Sequence, residues 1–193
     1  MFTGYRVTSS YGWRIHPIDR VRRFHTGIDL VKKPKNAPIY AFVSGVVIWA
    51  KWGSSGTGYG GFGNVVTIRD EFNHNHLYCH LQKISVKEGQ FVAKDQEVGL
   101  QGTTGISTWE HLHYEVRTGG FGTHINPEKY LISYWQKKRN SNTCIVILDN
   151  KYLGLGILQN GRSYLPVRAL ENTKYQVVHW DGESKIVYLK TVK

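Results

Sequence analysis

Long apolar runs are missing from this chain of 193 residues. No stretch approaches the ~20 residues that a membrane-spanning helix needs, so no helical span is expected. Cysteine is scarce: Cys79 and Cys144 stand far apart. That excludes a disulfide framework and any Cys-x-x-Cys metal knuckle, and it leaves Cys79, inside an apolar strand-like run, as a buried small hydrophobe. The opening segment "MFTGYRVTSSYGWRI" lacks a basic stretch followed by an apolar one. The expectation is a product made in the cytosol, or one whose leader has been trimmed. The glycine-rich stretch "GSSGTGYGGFGN" (53–64) lacks the Lys-Ser/Thr pair of a phosphate-binding loop and is expected as a mobile loop. Acidic side chains are also in deficit, 14 against 25 basic ones, for a formal charge of +11.

What is present favours short strands. The 21 glycines and 12 tyrosines suit turns and strands rather than helices. "VSGVVIWAKWG" (43–53), "NVVTIRD" (64–70) and "NHNHLYCHL" (73–81) read as strands or lead into them, and 86–102 as small strands with tight turns. The positive charge is densest at Arg14, Arg20, Arg22, Arg23, Lys32, Lys33 and Lys35. Such a balance favours a polyanionic partner: nucleic acid, an anionic membrane or an acidic cell-wall polymer. No nucleic-acid-binding motif accompanies it, so no nucleic-acid partner is expected.

"WQKKRNSNT" (135–143) is polar and lacks apolar periodicity, so a linker is expected over 136–143, dividing residues 1–135 from 144–193. Beyond it, "ILDNKYL" reads as strand–turn–strand, Pro166 opens a short helix carrying "VRALEN", and "VVHWDGESKIVYL" is a hairpin closed by Asp181-Gly182.

The histidines carry the chemistry. In "EHLHYEV" (110–116), strand alternation puts Leu112, Tyr114 and Val116 on one face and His111, His113 and Glu115 on the other. "FHTGIDL" sets His25 four residues before Asp29, a span of roughly 13 Å in a straight strand. Two ligands of one tetrahedral zinc must each come within ~2 Å of it, so the chain has to curve, and Gly27 is the residue expected to allow that. "LYCHLQ" adds His80; His76 shares its strand parity and is expected within reach of the same cleft.

Together, F-H-T-G-I-D, L-Y-C-H-L and H-L-H-Y-E-V resemble the lysostaphin/LytM-type zinc endopeptidases of bacterial peptidoglycan. The resemblance runs from "SSYGWRIHPI" (9–18) to "INPEKYL" (125–131). It implies a mostly β fold, with an antiparallel twisted β-sheet peptidase domain. It also implies a Zn2+ held by His25, Asp29 and His113, with His80 and His111 acting beside the metal. Three protein ligands leave a fourth position for water, as in catalytic rather than structural zinc sites. Glu115 is left as a solvated residue or one supporting a ligand. His16, His74, His76, His124 and His179 are assigned to the surface or the substrate rim.

The tail, through "NGRSYLPVRALEN" and "VVHWDGESKIVYL", resembles the small domain named after the N-terminal region of copper amine oxidases. It implies a β-hairpin/helix/β-hairpin module for wall attachment, with no copper site. The expected partners are peptidoglycan and anionic wall polymers. The chain is expected to be a monomeric phage or prophage endolysin, held in the host cytosol until release to the wall. The alternatives are a secreted bacterial autolysin, or an inactive wall-binding scaffold.

Overall fold

In the computed structural model the described residues are 2–15, 20–140, 143–149, 151–159, 162–164, 175–181 and 185–191. They form two compact units, Met1–Tyr134 and Trp135–Lys193. The strands up to the helix are β1 (Arg6–Ser9), β2 (Gly12–Ile15), β3 (Arg22–His25), β4 (Ile28–Val31), β5 (Pro38–Tyr40), β6 (Gly45–Trp52), β7 (Asn64–Arg69), β8 (Asn75–Leu81), β9 (Lys83–Ile84), β10 (Phe91–Val92), β11 (Glu97–Leu100), β12 (Leu112–Arg117) and β13 (His124–Ile125). Helix α1 spans Pro127–Asn140.

The main sheet of the first unit runs β1-β4-β12-β8-β7-β6-β10, with β13 on β12, and its pairings are antiparallel. A small sheet joins β5, β11 and β9, and β2 pairs with β3 as a hairpin. The fold is mostly β and antiparallel, in line with the sequence.

Strand alternation sorts the main sheet into two faces. Tyr114 pairs with Tyr78 on one side and Ile28 on the other, and Leu112 pairs with Leu30. All five are fully buried. Phe42 lies edge-on to Tyr114 at 4.8 Å, and its backbone N–H donates to the Tyr78 hydroxyl at 2.7 Å. The residues one step out of phase, Asp29, His113 and Cys79, line up across β4, β12 and β8 on the opposite face.

The helix lies where the sequence pointed to a polar linker. It runs through Asn140, across most of the segment expected as linker. Its start carries ordinary signals. Lys129 N donates to Asn126 Oδ1 at 3.1 Å, Pro127 opens the helix, and Lys137, Lys138 and Arg139 fill its last turn. Leu131 and Tyr134 are buried, while the charged residues of the last turn hid the apolar period from a reading of "WQKKRN".

The helix is fastened by a buried polar knot. Asp70 accepts from the backbone N–H groups of Phe72 and His74 through Oδ1, at 2.9 and 2.8 Å. Through Oδ2 it accepts from the Tyr130 hydroxyl and, at 3.1 Å, from His76 Nε2. His76 Nδ1 in turn accepts from the Tyr114 hydroxyl at 2.6 Å. His76 is therefore no neighbour of the cleft. It is fully buried on the Tyr78–Tyr114 side of the sheet, and burial lowers its pKa and keeps it neutral.

In the second unit β14 (Thr143–Leu148), β15 (Lys151–Gln159), β16 (Arg162–Tyr164), β17 (Tyr175–Asp181) and β18 (Ile186–Thr191) form one sheet, ordered β16-β15-β14-β18-β17. β14 and β15 make one antiparallel pair, β17 and β18 another, and β14 runs parallel to β18. Cys144, Val146, Val187 and Leu189 form its buried cluster. The expected helix after Pro166 and the Gly182 turn lie outside the described residues.

Tyr130→Phe should cost about 1.5–3 kcal/mol, the range for losing a hydrogen bond to a charged group. Urea unfolding checks this; an unchanged midpoint would mean that the knot does not hold the helix.

Candidate active site

The row Asp29–His113 is set by register. The two are cross-strand partners on β4 and β12, which places their side chains on one face a strand spacing apart. His25 reaches them from the end of β3, because the chain leaves the β2–β3 hairpin there and enters the main sheet at Ile28. Gly27 makes the transfer possible by closeness rather than by an unusual φ. A Cβ at this position would stand 2.5 Å from Tyr114 O and 2.8 Å from His113 Cε1.

Three donor atoms converge. His25 Nε2 is 3.1 Å from Asp29 Oδ1 and 3.1 Å from His113 Nδ1, and His113 Nδ1 is 2.9 Å from Asp29 Oδ1. A tetrahedral zinc with ligands at ~2.0 Å would need edges of roughly 3.3 Å. The outer atoms of the two rings are already committed. His25 Nδ1 donates to Ser10 O at 2.9 Å, so its inner nitrogen is a bare lone pair. His113 Nε2 donates to Glu115 Oε1 at 3.1 Å. Lone pairs of two nitrogens and one carboxylate oxygen cannot share so small a triangle without a positive charge between them. The residues therefore fit a small divalent cation.

The charges around this triangle agree. Burial opposes a charge on His113, but Asp29 and Glu115, one on each ring nitrogen, outweigh it and raise its pKa to about 9. Burial would raise Asp29, yet His113 and His25 hold it well below the ordinary carboxylate range. Glu115 is likewise held at about 2 by His113, Arg117 and Thr26 against its burial. Glu115 is not solvated at all: it is fully buried, and it also accepts from Thr26 Oγ1 and, at 2.7 Å, from Arg117 Nε. Arg117 escaped the sequence reading, although it continues the 111–113–115 alternation by one more step.

His80 and His111 complete the cluster. Their ring centroids are 4.9 Å apart, and His111 Nε2 lies 3.6 Å from Asp29 Oδ1. Each Nδ1 donates to a backbone carbonyl at 2.8 Å, Thr104 O for His80 and Trp109 O for His111. Nε2 of each is thereby left as the acceptor. Burial keeps both rings neutral, lowering the pKa of His80 to about 4 and that of His111 below its usual value.

His80 reaches this face against alternation. Leu77 and Cys79 point to the side of Asp29 and His113, so His80 by parity belongs with His76 and Tyr78. Its φ of +62° breaks the pattern and turns the ring over. That break is why His76, correctly matched to His80 in parity, lies on the other side of the sheet.

Five residues thus share one cleft of about 630 Å³: His25, Asp29, His80, His111 and His113. The glycine-rich loop forms part of its wall with Gly60, Gly61 and Phe62. Its ends are closed by Gly53 N to Gly63 O at 2.8 Å, and Ile106 N donates to Gly61 O at 2.7 Å. A side chain at Gly105 would meet Gly63 N at 2.3 Å, so the two loops approach backbone to backbone. His124 lies beside Tyr11 and Phe24, and His74 beside Asp70 and Tyr130. His179 is on β17, and His16 lies outside the described residues.

Peptidase family M23 matches residues 23–127, more than half of the chain, and the chain belongs to that family. It is 41% identical over 115 residues to the DD-carboxypeptidase/endopeptidase Mpg of Neisseria meningitidis, covering 60% of this chain and 25% of that protein. It is 35% identical over 117 residues to the peptidoglycan DD-endopeptidase ShyA of Vibrio cholerae, covering 60% and 26%. The chain thus spans about a quarter of the length of these curated relatives. Among solved structures, the catalytic domain of lysostaphin from Staphylococcus simulans superposes with a TM-score of 0.57 at 31% identity, covering 66% of this chain and 92% of that one. A mutant catalytic domain of the prophage-encoded M23 protein EnpA from Enterococcus faecalis gives 0.57 at 37%, covering 67% and 94%. A zinc-containing peptidase from Vibrio cholerae gives 0.53 at 32%, covering 64% and 36%.

A metal ion held in this triangle would compete with a proton for His113 Nδ1. The proton is held below pH about 9, so metal affinity should fall as pH drops from there, by about tenfold per unit. Chelator-competition titrations at pH 6 and pH 8 check this; equal affinities would contradict it.

Proposed function

We propose that this chain is a zinc-dependent endopeptidase that hydrolyses peptide bonds in bacterial peptidoglycan. The observation that carries the reading is the meeting of His25, Asp29 and His113 with two further neutral imidazoles in one open cleft of an M23 chain. The names of the relatives support the substrate: a peptidoglycan DD-endopeptidase, a glycyl-glycine endopeptidase and lysostaphin.

His25 Nε2, Asp29 Oδ1 and His113 Nδ1 would hold the zinc. Zinc supplies Lewis acidity, polarising a carbonyl and making water more acidic. The protein's own part is proton handling and orientation. Glu115, fixed by Arg117 and Thr26, holds the His113 ring with Nδ1 inward. His80 and His111 each present an unprotonated Nε2, so either can accept a proton from attacking water. Their low basicity means that the proton is readily passed to the departing amine. The other ring can donate to the developing oxyanion once it is protonated. Ser10, Thr104 and Trp109 supply the carbonyls that fix three of these rings.

The second unit is proposed as the copper-amine-oxidase-like module that attaches the enzyme to the wall, with anionic polymers drawn by the positive charge. The likeness to prophage-encoded EnpA supports a phage or prophage lysin; a monomer kept in the host cytosol before release is part of the same proposal.

His25→Ala, Asp29→Ala and His113→Ala should each lose zinc. His80→Ala and His111→Ala should keep it and lose about 10²–10⁴-fold in activity, the worth of an acid–base group. Elemental analysis of the purified variants decides it: full zinc in His113→Ala, or none in His111→Ala, would mean that the roles are exchanged.

A chain ending after Asn140 keeps helix α1 whole and every cleft residue. It should cleave soluble peptide as before but lyse whole walls at least tenfold more slowly, because a tethered second contact is lost. Wall pull-down and peptide kinetics compare the two; undiminished wall binding would remove the attachment role.

A further inference from the structure

The cleft is nearly neutral outside its metal-binding residues. Its walls are formed by Ser9, Thr26, Phe62, Ile106, Thr108 and Trp109 among others, and among the described residues Arg14 is the one fully charged side chain lining it besides Asp29. Arg14 sits on β2, where the ladder pairs Gly12 with His25 and Arg14 with Arg23. Alternation therefore puts Arg14 on the same face of the hairpin as His25. Its Nη2 stands 3.8 Å from Asp29 Oδ2, the oxygen turned away from the His25–His113 triangle. That distance is an ion pair and not a hydrogen bond. Both histidine nitrogens face Asp29 Oδ1, and Oδ2 faces the guanidinium without a hydrogen bond between them.

A cation placed one carboxylate away from a metal site works against metal binding unless it serves another purpose. The arrangement becomes favourable when an anion enters the cleft. The guanidinium is about 29% exposed, enough to be reached yet sheltered enough for a charge-assisted contact to count.

We infer that Arg14 is a specificity-determining residue that receives a free carboxylate of the substrate close to the scissile bond. The inference rests on the peptidase reading and deepens it. The preferred substrate is an acidic stem peptide with a carboxylate next to the cut, and not a neutral glycine bridge. Arg14 suits a carboxylate better than a lysine would, because its planar fork can meet both oxygens at once.

The test uses the zinc-loaded full chain and two versions of one peptide, L-lysyl-D-alanyl-D-alanine as the free acid and as the carboxamide, with pentaglycine as a third substrate. Binding is followed by calorimetry and cleavage by chromatography. The acid should bind, and be cleaved, about 10–100-fold better than the amide, the range for a hydrogen bond to a charged group. Arg14→Gln should collapse that ratio towards one, with Arg14→Lys between, while zinc content stays full. Equal handling of acid and amide by the unaltered chain overturns the inference, as does a preference for pentaglycine. If Arg14→Gln loses zinc and weakens both peptides alike, Arg14 only props Asp29, and the inference also falls. If no peptide is cleaved but the acid still binds more tightly in an Arg14-dependent way, the carboxylate site stands and the peptidase reading falls.

Discussion

The pairing of Asp29 with His113 across β4 and β12 is the constraint on which the rest of the site depends. A one-residue slip of β12 against β4 would send His113 into the aromatic core and bring Tyr114 to the cleft beside Asp29. The register is held from the core side by the Tyr114–Tyr78–Phe42 contacts and from the cleft side by the closeness that Gly27 permits. Packing and chemistry are thus two faces of one ladder. The same strand that buries Leu112, Tyr114 and Val116 presents His111, His113, Glu115 and Arg117 on its other side.

That second set is ordered by charge as well as by position. Arg117 neutralises Glu115, Glu115 orients His113, and His113 faces Asp29 and His25. Alternating sign along the row lets five ionisable groups be buried together at modest cost, since each has an opposite or hydrogen-bonding partner at contact. At the inner end the row leaves a surplus of electron pairs, which only a proton or a metal relieves. His80 and His111 sit outside this chain of charges. Backbone carbonyls fix them instead, so their inner nitrogens remain available whatever the centre holds.

Much of this was legible in the residues. Alternation alone separated the two faces of "HLHYEV", and the three histidine motifs named the side chains that converge. What could not be read was set by geometry that a linear pattern does not carry. The parity rule misplaced His76 because it assumed an unbroken strand through His80. Gly27 looked like a hinge, whereas its role is to let Tyr114 O and the His113 ring come close. Helix α1 was hidden by its own charged end, although Asn126-Pro127-Glu128 is a start signal. Glu115 could be solvated or supporting from sequence alone; only the approach of Thr26 and Arg117 from either side decides between them.

The left-handed backbone at His80 has a consequence for how such a chain changes over generations. Most residues with a Cβ are uncomfortable at φ near +60°; histidine and asparagine tolerate it better than most, and glycine accepts it freely. As long as the imidazole is needed, the discomfort is retained, as strain often is at working sites. Where selection for chemistry lapses, the same position becomes one of the places where the fold gains by substitution. A lineage that abandons hydrolysis but keeps the domain as a scaffold would be drawn to glycine or asparagine at this site, while Tyr78 and Tyr114 behind it stayed as they are.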